Sequence, residues 1–449
     1  MKAKKLTAQE FARAVQIGLG RALLHVKEFG DDGIELIILD AFLINYVYDM
    51  QIEGERNYWL MQLVTLTGRV KFYANALLAK LQKKKKYRRY DVVQQIYLSR
   101  AFFELGFREF LPVMFTKFRQ LPAEGSGSVI CGAELVQAGG LAGLEFVAQV
   151  LGASKTPDDY ARFYILEDAQ ELFGEELVDV RMKVLSLKDD NIRLFLDAST
   201  RFRTWCDKPC LPPYDFTLVE LLANIDKDKT RFGTRNFSRF GRKATDDEIL
   251  TVFNLLLKTR DRRVQLALIA VFTDRAMPLF DARLLELVDS TNREIRGEAA
   301  GAFSRFKNAV VRRKALSLLR QGNEEMVPVA LELLAHNYKP ADASKILAIL
   351  KSMASIEHIH SAGMKLRTIA ENTDGDELAE CYLWLYLNGP DSFCRESFLE
   401  QLIVRKKCPP QILYESQWDA RDETQLLARH QANARHIGAS MKSVRSALR

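Results

Sequence analysis

Cysteine is scarce in this chain. Its six residues among 449 are too few and too scattered for a disulfide framework, and reduced thiols fit a reducing, cytoplasmic setting. Cys206 and Cys210 have the spacing of half a zinc site, but no second Cys/His pair follows at zinc-finger spacing. Proline and glycine are sparse as well, at 12 and 24 residues, thin punctuation for an all-β design. Long apolar runs are missing. The stretches 34–48 and 129–153 are interrupted by Glu35, Asp40 and Asn45, and by Glu134, Gln137 and Glu145. A membrane-spanning helix needs about 20 mostly apolar residues. Near the N-terminus Glu10, Arg13 and Gln16 break any signal-peptide core behind Lys2, Lys4 and Lys5, and Thr7 and Glu10 have capping-box spacing instead. The expectation is a mature cytoplasmic start and no membrane contact.

Catalytic signatures are absent too. There is no G-x-x-x-x-G-K-[ST] phosphate loop and no H-E-x-x-H. Gly125-Ser126-Gly127-Ser128 lacks nucleophile-elbow spacing. Gly139, Gly140 and Gly143 lie between apolar helices with no preceding strand, and close helix packing accounts for them. His358 and His360 are two residues apart and do not share a helix face. No catalytic residue, cofactor or metal site is expected. Trp59, Trp205, Trp384 and Trp418 read as core or groove aromatics.

What is present is helix-forming sequence. Leu, Ala, Lys, Glu and Arg dominate, with 48% hydrophobic and 27% charged residues, the mixture of a folded protein. Helices are expected over 7–28, 32–50, 55–82, 130–137 and 141–151, among others. From about residue 246 a longer period appears. Asp261, Asn292 and Asn323, all good N-cap residues, are 31 apart. Each is followed at fixed offsets by apolar residues on one helix face: Val264, Ile295 and Met326, then Leu268, Ala299 and Ala330, then Val271, Ala302 and Leu333. Leu285, Leu316 and Leu347 keep the same interval in the intervening helices. Pro328, five residues past Asn323, shifts or kinks that helix start. Helix pairs with one apolar face each must stack on their neighbours to bury it.

At these residues the sequence resembles the HEAT-like families, particularly the short bacterial type. There the second helix of each repeat opens with Asp or Asn, then an apolar-Arg pair, then small residues. Asn292, Ile295, Arg296 and Ala299 match, whereas Asp261 and Asn323 are followed by Gln265 and Val327 where the arginine would stand. The resemblance implies an all-α chain, an α-solenoid of stacked antiparallel helix pairs forming a HEAT/armadillo-like superhelix, used as a curved binding surface. Residues 1–225 are then an N-terminal helical region of degenerate repeats. Residues 226–245 are a basic aromatic connecting segment, 246–352 the HEAT-like repeats, and 353–449 a helical continuation and cap.

Positive charge is concentrated in two segments. Residues 81–90 hold Lys83, Lys84, Lys85, Lys86, Arg88 and Arg89 without an acid, and 226–245 hold Arg231, Arg235, Arg239, Arg242 and Lys243 interleaved with Phe232, Phe237 and Phe240. They carry +6 and +5 in a chain of +7, so the remainder is net acidic. Three uses fit the second segment: a solvated connection whose phenylalanines tuck into flanking helices, a nucleic-acid surface pairing cations with stacking rings, or a site for an acidic protein. The leading expectation is a non-catalytic scaffold binding a partner protein, with Arg262, Arg263, Arg293 and Arg296 beside the apolar face as surface contributors. The alternative is a DNA- or RNA-binding protein using the two segments. HEAT-like DNA glycosylases for alkylated bases are a fold-level analogy only.

Overall fold

The computed structural model describes residues 2–53, 56–83, 88–121, 126–154, 159–206, 216–225, 234–373 and 375–433. Among them there is no strand, and the chain is all-α. It divides into two compact units. Residues 1–210 and 414–432 form the first, and 211–413 with 433–449 form the second.

Unit 1 is built from α1 (Ala8–Ile17), α2 (Arg21–Phe29), α3 (Glu35–Leu43), α4 (Met50–Glu53), α5 (Asn57–Leu66), α6 (Val70–Leu81), α7 (Arg89–Glu104), α8 (Phe110–Phe118), α9 (Ser126–Gly152), α10 (Asp159–Phe173), α11 (Glu175–Ser186) and α12 (Asp190–Cys206). The Thr7–Glu10 capping box forms as its spacing predicts. Two long expected helices are each two shorter ones. The stretch 7–28 breaks at Gly18 (φ 76°), and 55–82 breaks at Gly68 (φ 67°). The apolar rhythm runs on across both breaks, but a left-handed residue ends a helix whatever follows it.

The stretch Val129–Gly152 is long and apolar enough by composition to cross a membrane, contrary to the expectation from its interrupting charges. It lies within α9, which doubles back at Gly140 (φ 62°). A Cβ on Gly143 would sit 2.3 Å from the Leu135 carbonyl oxygen, so the two arms pack backbone to backbone. At about 1.5 Å per residue the arms 126–139 and 141–152 reach only about 21 and 18 Å, short of a hydrocarbon core about 30 Å thick. Their inner faces (Cys131, Leu135, Val136, Leu144, Val147 and Leu151) join Ile165, Phe195 and Met114 in the core of unit 1.

Residues 414–432 complete this unit. Trp59 Nε1 donates to the Trp418 carbonyl at 2.9 Å, Arg21 pairs with the buried Glu415 at 2.7 Å, and Ala420 N–H donates to the Gly18 carbonyl at 2.9 Å. Lys27 lies 4.4 Å above the Trp418 ring. Trp59 is buried, but Trp205 is 65% exposed, contrary to the expectation of a core or groove aromatic. It stands near the end of α12, with the Phe202 ring 5.5 Å away.

His25 is buried between Phe11 and Phe29 and accepts the Leu6 N–H at Nδ1, 2.9 Å away. Burial first, and Lys5 second, push its pKa below the usual 6.5. The folded state thus binds fewer protons than the unfolded chain, and this stabilisation is present above 6.5 and lost as pH falls toward the depressed value. The melting temperature should decline below about pH 6.5, and His25→Asn, which keeps an acceptor without a titrating ring, should flatten that decline. An equal decline in His25→Asn would assign it to other groups.

Unit 2 contains α13 (Leu218–Ile225), α14 (Thr234–Lys243), α15 (Asp246–Lys258), α16 (Arg262–Ala270), α17 (Ala282–Leu285, continued as a 3-10 turn to Asp289), α18 (Arg293–Ser304), α19 (Ala309–Arg320), α20 (Val327–Leu334), α21 (Ala343–Ser352), α22 (Ile356–Glu371), α23 (Ala379–Asn388) and α24 (Ser392–Val404). A further helix, α25 (Pro410–Ser416), spans the boundary at 413/414, and residues 422–433 are helical as well. From α15 onward neighbours pair as α15 with α16, α17 with α18, α19 with α20 and α23 with α24, whereas α21 packs on α23 and barely touches α22. The second members pack in succession, α16 on α18, α18 on α20, α20 on α22 and α22 on α24.

The sequence period explains this. Asp261 caps the N–H groups of Arg263 and Val264, Asn292 those of Glu294 and Ile295, and Asn323 that of Glu325. The apolar positions that follow are buried, including Leu268, Ala299 and Ala330, and Phe272, Phe303 and Leu334. Pro328 sits in the first turn of α20, where a missing N–H costs nothing, and Asn323 caps a 3-10 turn ahead of it. Asn337 ties neighbouring pairs, donating to the Phe306 carbonyl at 2.7 Å and accepting Asn308 N–H at 2.9 Å. Arg312 and the buried Asp342 form a second tie, a two-pronged ion pair at 2.5 and 2.8 Å.

Candidate interaction groove

A polar concavity of 660 Å³ lies across the second helices of unit 2. Gly297, Glu298, Gly301 and Arg305 reach it from α18 and its end. Glu332 and His336 contribute from α20, Lys365 and Thr368 from α22, and Thr273 from the end of α16. Most of its charges are already tied. Lys365 pairs with Glu332, Glu298 accepts the Thr273 hydroxyl, and Arg305 donates to the carbonyls of Thr273 and Asp274 at 2.8 and 3.1 Å. The walls are therefore rigid and present both signs of charge.

The floor is distinctive. Gly297 and Gly301 are one turn apart within α18, and each costs about 0.5–1 kcal/mol in a helix interior relative to alanine. Close packing normally explains such glycines. Here a Cβ on Gly297 would meet nothing within 4 Å, and one on Gly301 only the Thr273 methyl at 3.9 Å. Nothing described in the chain occupies the space they leave.

The residues singled out from the sequence lie elsewhere. Lys84, Lys85, Lys86 and Arg231 fall outside the described residues, as does Phe232. Lys83 is exposed, Arg88 pairs with Asp91 at the start of α7, and Arg89 is half-buried, all in unit 1. Arg235, Arg239, Arg242 and Lys243 are exposed on α14 of unit 2, so part of the expected connecting segment is helical. Arg242 is paired with Asp274 at 2.8 Å. Phe237 and Phe240 are 2% and 7% exposed, so neither ring can stack on a base. Arg293 is exposed and pairs with Glu357 at 3.1 Å. Arg296 is not the surface residue its flanking position suggested. It is 7% exposed, with its guanidinium held by the Ser290 carbonyl at 2.9 Å and by Glu325 of the next repeat. A long side chain beside an apolar face folds back when a carbonyl and a carboxylate await it.

No family model matches this chain, and no curated protein matches it.

Sequence reasoning missed the groove, although a signal existed. Two glycines at i and i+4 inside an otherwise strong helical pattern mark a face where side-chain volume is withheld. It also missed a convergence of metal-type donors, His360, Asp391 and Cys394, within 4.8 Å of one another. These come from two helices, and no short spacing announces them.

Proposed function

We propose that the chain is a HEAT-like helical scaffold that binds a partner protein, a polar segment of which lies along α18, α20 and α22 over Gly297 and Gly301. The observation that carries this reading is the glycine floor: two helix-weakening residues that no described contact requires, beneath a rigid groove of both charge signs. The 31-residue register and the succession of second helices support a solenoid, in which that face would be the inner one.

The reading separates stability from binding. Gly297→Ala with Gly301→Ala should raise the melting temperature by roughly 2–8 °C, from about 1–2 kcal/mol of recovered helix propensity. Gly301→Arg should fill the groove and leave the melting temperature within a few degrees. Photo-crosslinking from position 301 should trap a distinct protein that wild type retains and Gly297→Leu loses. Identical partners with both proteins would reject the groove. Salt-dependent binding of labelled DNA or RNA, weakened in an Arg235→Ala, Arg239→Ala, Arg242→Ala triple variant, would replace the reading with a nucleic-acid one.

A further inference from the structure

We infer that His360, Asp391 and Cys394 form a binding site for a thiophilic divalent cation, zinc first among them, with Met364 bordering its open corner. The donors come from facing helices of unit 2. His360 and Met364 are one turn apart on α22, while Asp391 and Cys394 stand at the N-cap and third position of α24. Pairs at i,i+4 and i,i+3 on two packed helices aim four side chains at one point. The helices come this close because Gly363 has no Cβ; one there would meet the Phe398 ring at 2.8 Å.

The distances suit tetrahedral coordination. Zinc with sulfur at about 2.3 Å and nitrogen or oxygen at about 2.0–2.2 Å places donor pairs about 3.4–3.6 Å apart. His360 Nδ1 lies 3.5 Å from Asp391 Oδ2 and 3.8 Å from Cys394 Sγ. Cys394 Sγ lies 3.1 Å from Asp391 Oδ2, a thiol-to-carboxylate hydrogen bond that lengthens by about half an ångström when the proton leaves and a cation replaces it. Met364 Sδ is 3.4 Å from the same sulfur.

Charge and support agree with this geometry. A thiolate, a carboxylate and a neutral imidazole sum to −2, so a divalent cation makes a neutral assembly, the cheapest kind to hold where Asp391 is 1% and Cys394 6% exposed. Asp391 Oδ1 accepts the Phe393 N–H at 2.8 Å, which turns Oδ2 toward the other donors. The N-terminal end of α24 favours the thiolate. On binding, the Cys394 proton passes to solvent and the sulfur lone pair forms the bond to the metal.

The test is a cobalt(II) titration of the full chain after chelator treatment, followed by displacement with zinc. One equivalent should give thiolate-to-cobalt charge-transfer absorption and the intense visible bands of a tetrahedral site, and zinc should abolish both. Cys394→Ala and His360→Ala should each lower affinity by more than about 100-fold, beyond what outer-shell changes do. Cys381→Ala and Cys408→Ala should leave the spectrum intact. Circular dichroism of the variants separates lost ligands from lost fold, and Asp391→Asn, which keeps the cap, gives a second measure. A wild-type protein without the charge-transfer band, or a band that survives both Cys394→Ala and His360→Ala, overturns the site. Preference for copper(I) that depends on Met364 overturns the zinc assignment.

Discussion

Gly20→Ala should destabilise unit 1 by about 3 kcal/mol or more, the upper range for overpacking, although alanine is the better helix former. The added Cβ would lie 2.0 Å from the Glu415 carbonyl oxygen, 2.6 Å from the Trp418 carbonyl carbon and 2.8 Å from the Asp419 nitrogen. All three are backbone atoms, so no side chain can swing aside. The strain is relieved by displacing residues 414–432, which gives up the Trp59–Trp418 hydrogen bond, the Arg21–Glu415 pair and the Gly18–Ala420 bond together. Urea unfolding followed by tryptophan fluorescence should show the loss, and limited proteolysis should cut within 414–432 sooner than in wild type. An unchanged midpoint with unchanged cleavage would mean that this contact is not made in solution. The contrast with Gly297 is informative. The same substitution is expected to destabilise at one glycine and stabilise at the other, because one opposes backbone and the other open space.

Asp342→Ala should cost about 3–5 kcal/mol, the usual consequence of removing one partner from a buried ion pair. Asp342 is 1% exposed and accepts both prongs of the Arg312 guanidinium and the Lys339 N–H at 2.9 Å. The hydrogen bonds to Asp342 hold the Arg312 pKa above even its usual value. Without the carboxylate, Arg312 keeps the Asn337 carbonyl at 2.8 Å and, among the described residues, no acidic partner. Replacing both residues, Arg312→Met with Asp342→Leu, should recover more than half of the loss, since an apolar pair leaves no stranded charge. A double variant as unstable as Asp342→Ala would show that packing volume, not charge, governs this junction.

Local features were legible in the sequence. The caps at Thr7, Asp261, Asn292 and Asn323 depend on residues within three positions, and the 31-residue register marks inward faces because burial follows helical phase. What escaped depends on contacts far apart in the chain. The breaks at Gly18 and Gly68 override an apolar rhythm that continues past them. Arg296 looked exposed because its carboxylate partner, Glu325, belongs to the next repeat. The groove floor needed α20 and α22 in place before two glycines in α18 acquired meaning. His360 and Cys394 are separated by 34 residues, and only the packing of α22 on α24 brings them to 3.8 Å.

The return of residues 414–432 to the first unit has a consequence for biosynthesis. The ribosome must make residues 211–413 before the segment that covers Gly18, Gly20 and Trp59 exists. At about 5–20 residues per second that interval lasts roughly 10–40 seconds. Throughout it the nascent N-terminal helices carry an uncovered apolar seam, so vectorial folding cannot finish the first half of the chain before the second. A ribosome-bound nascent chain halted before residue 414 should therefore engage chaperones through α1, α2 and α5, and release them once 414–432 emerge.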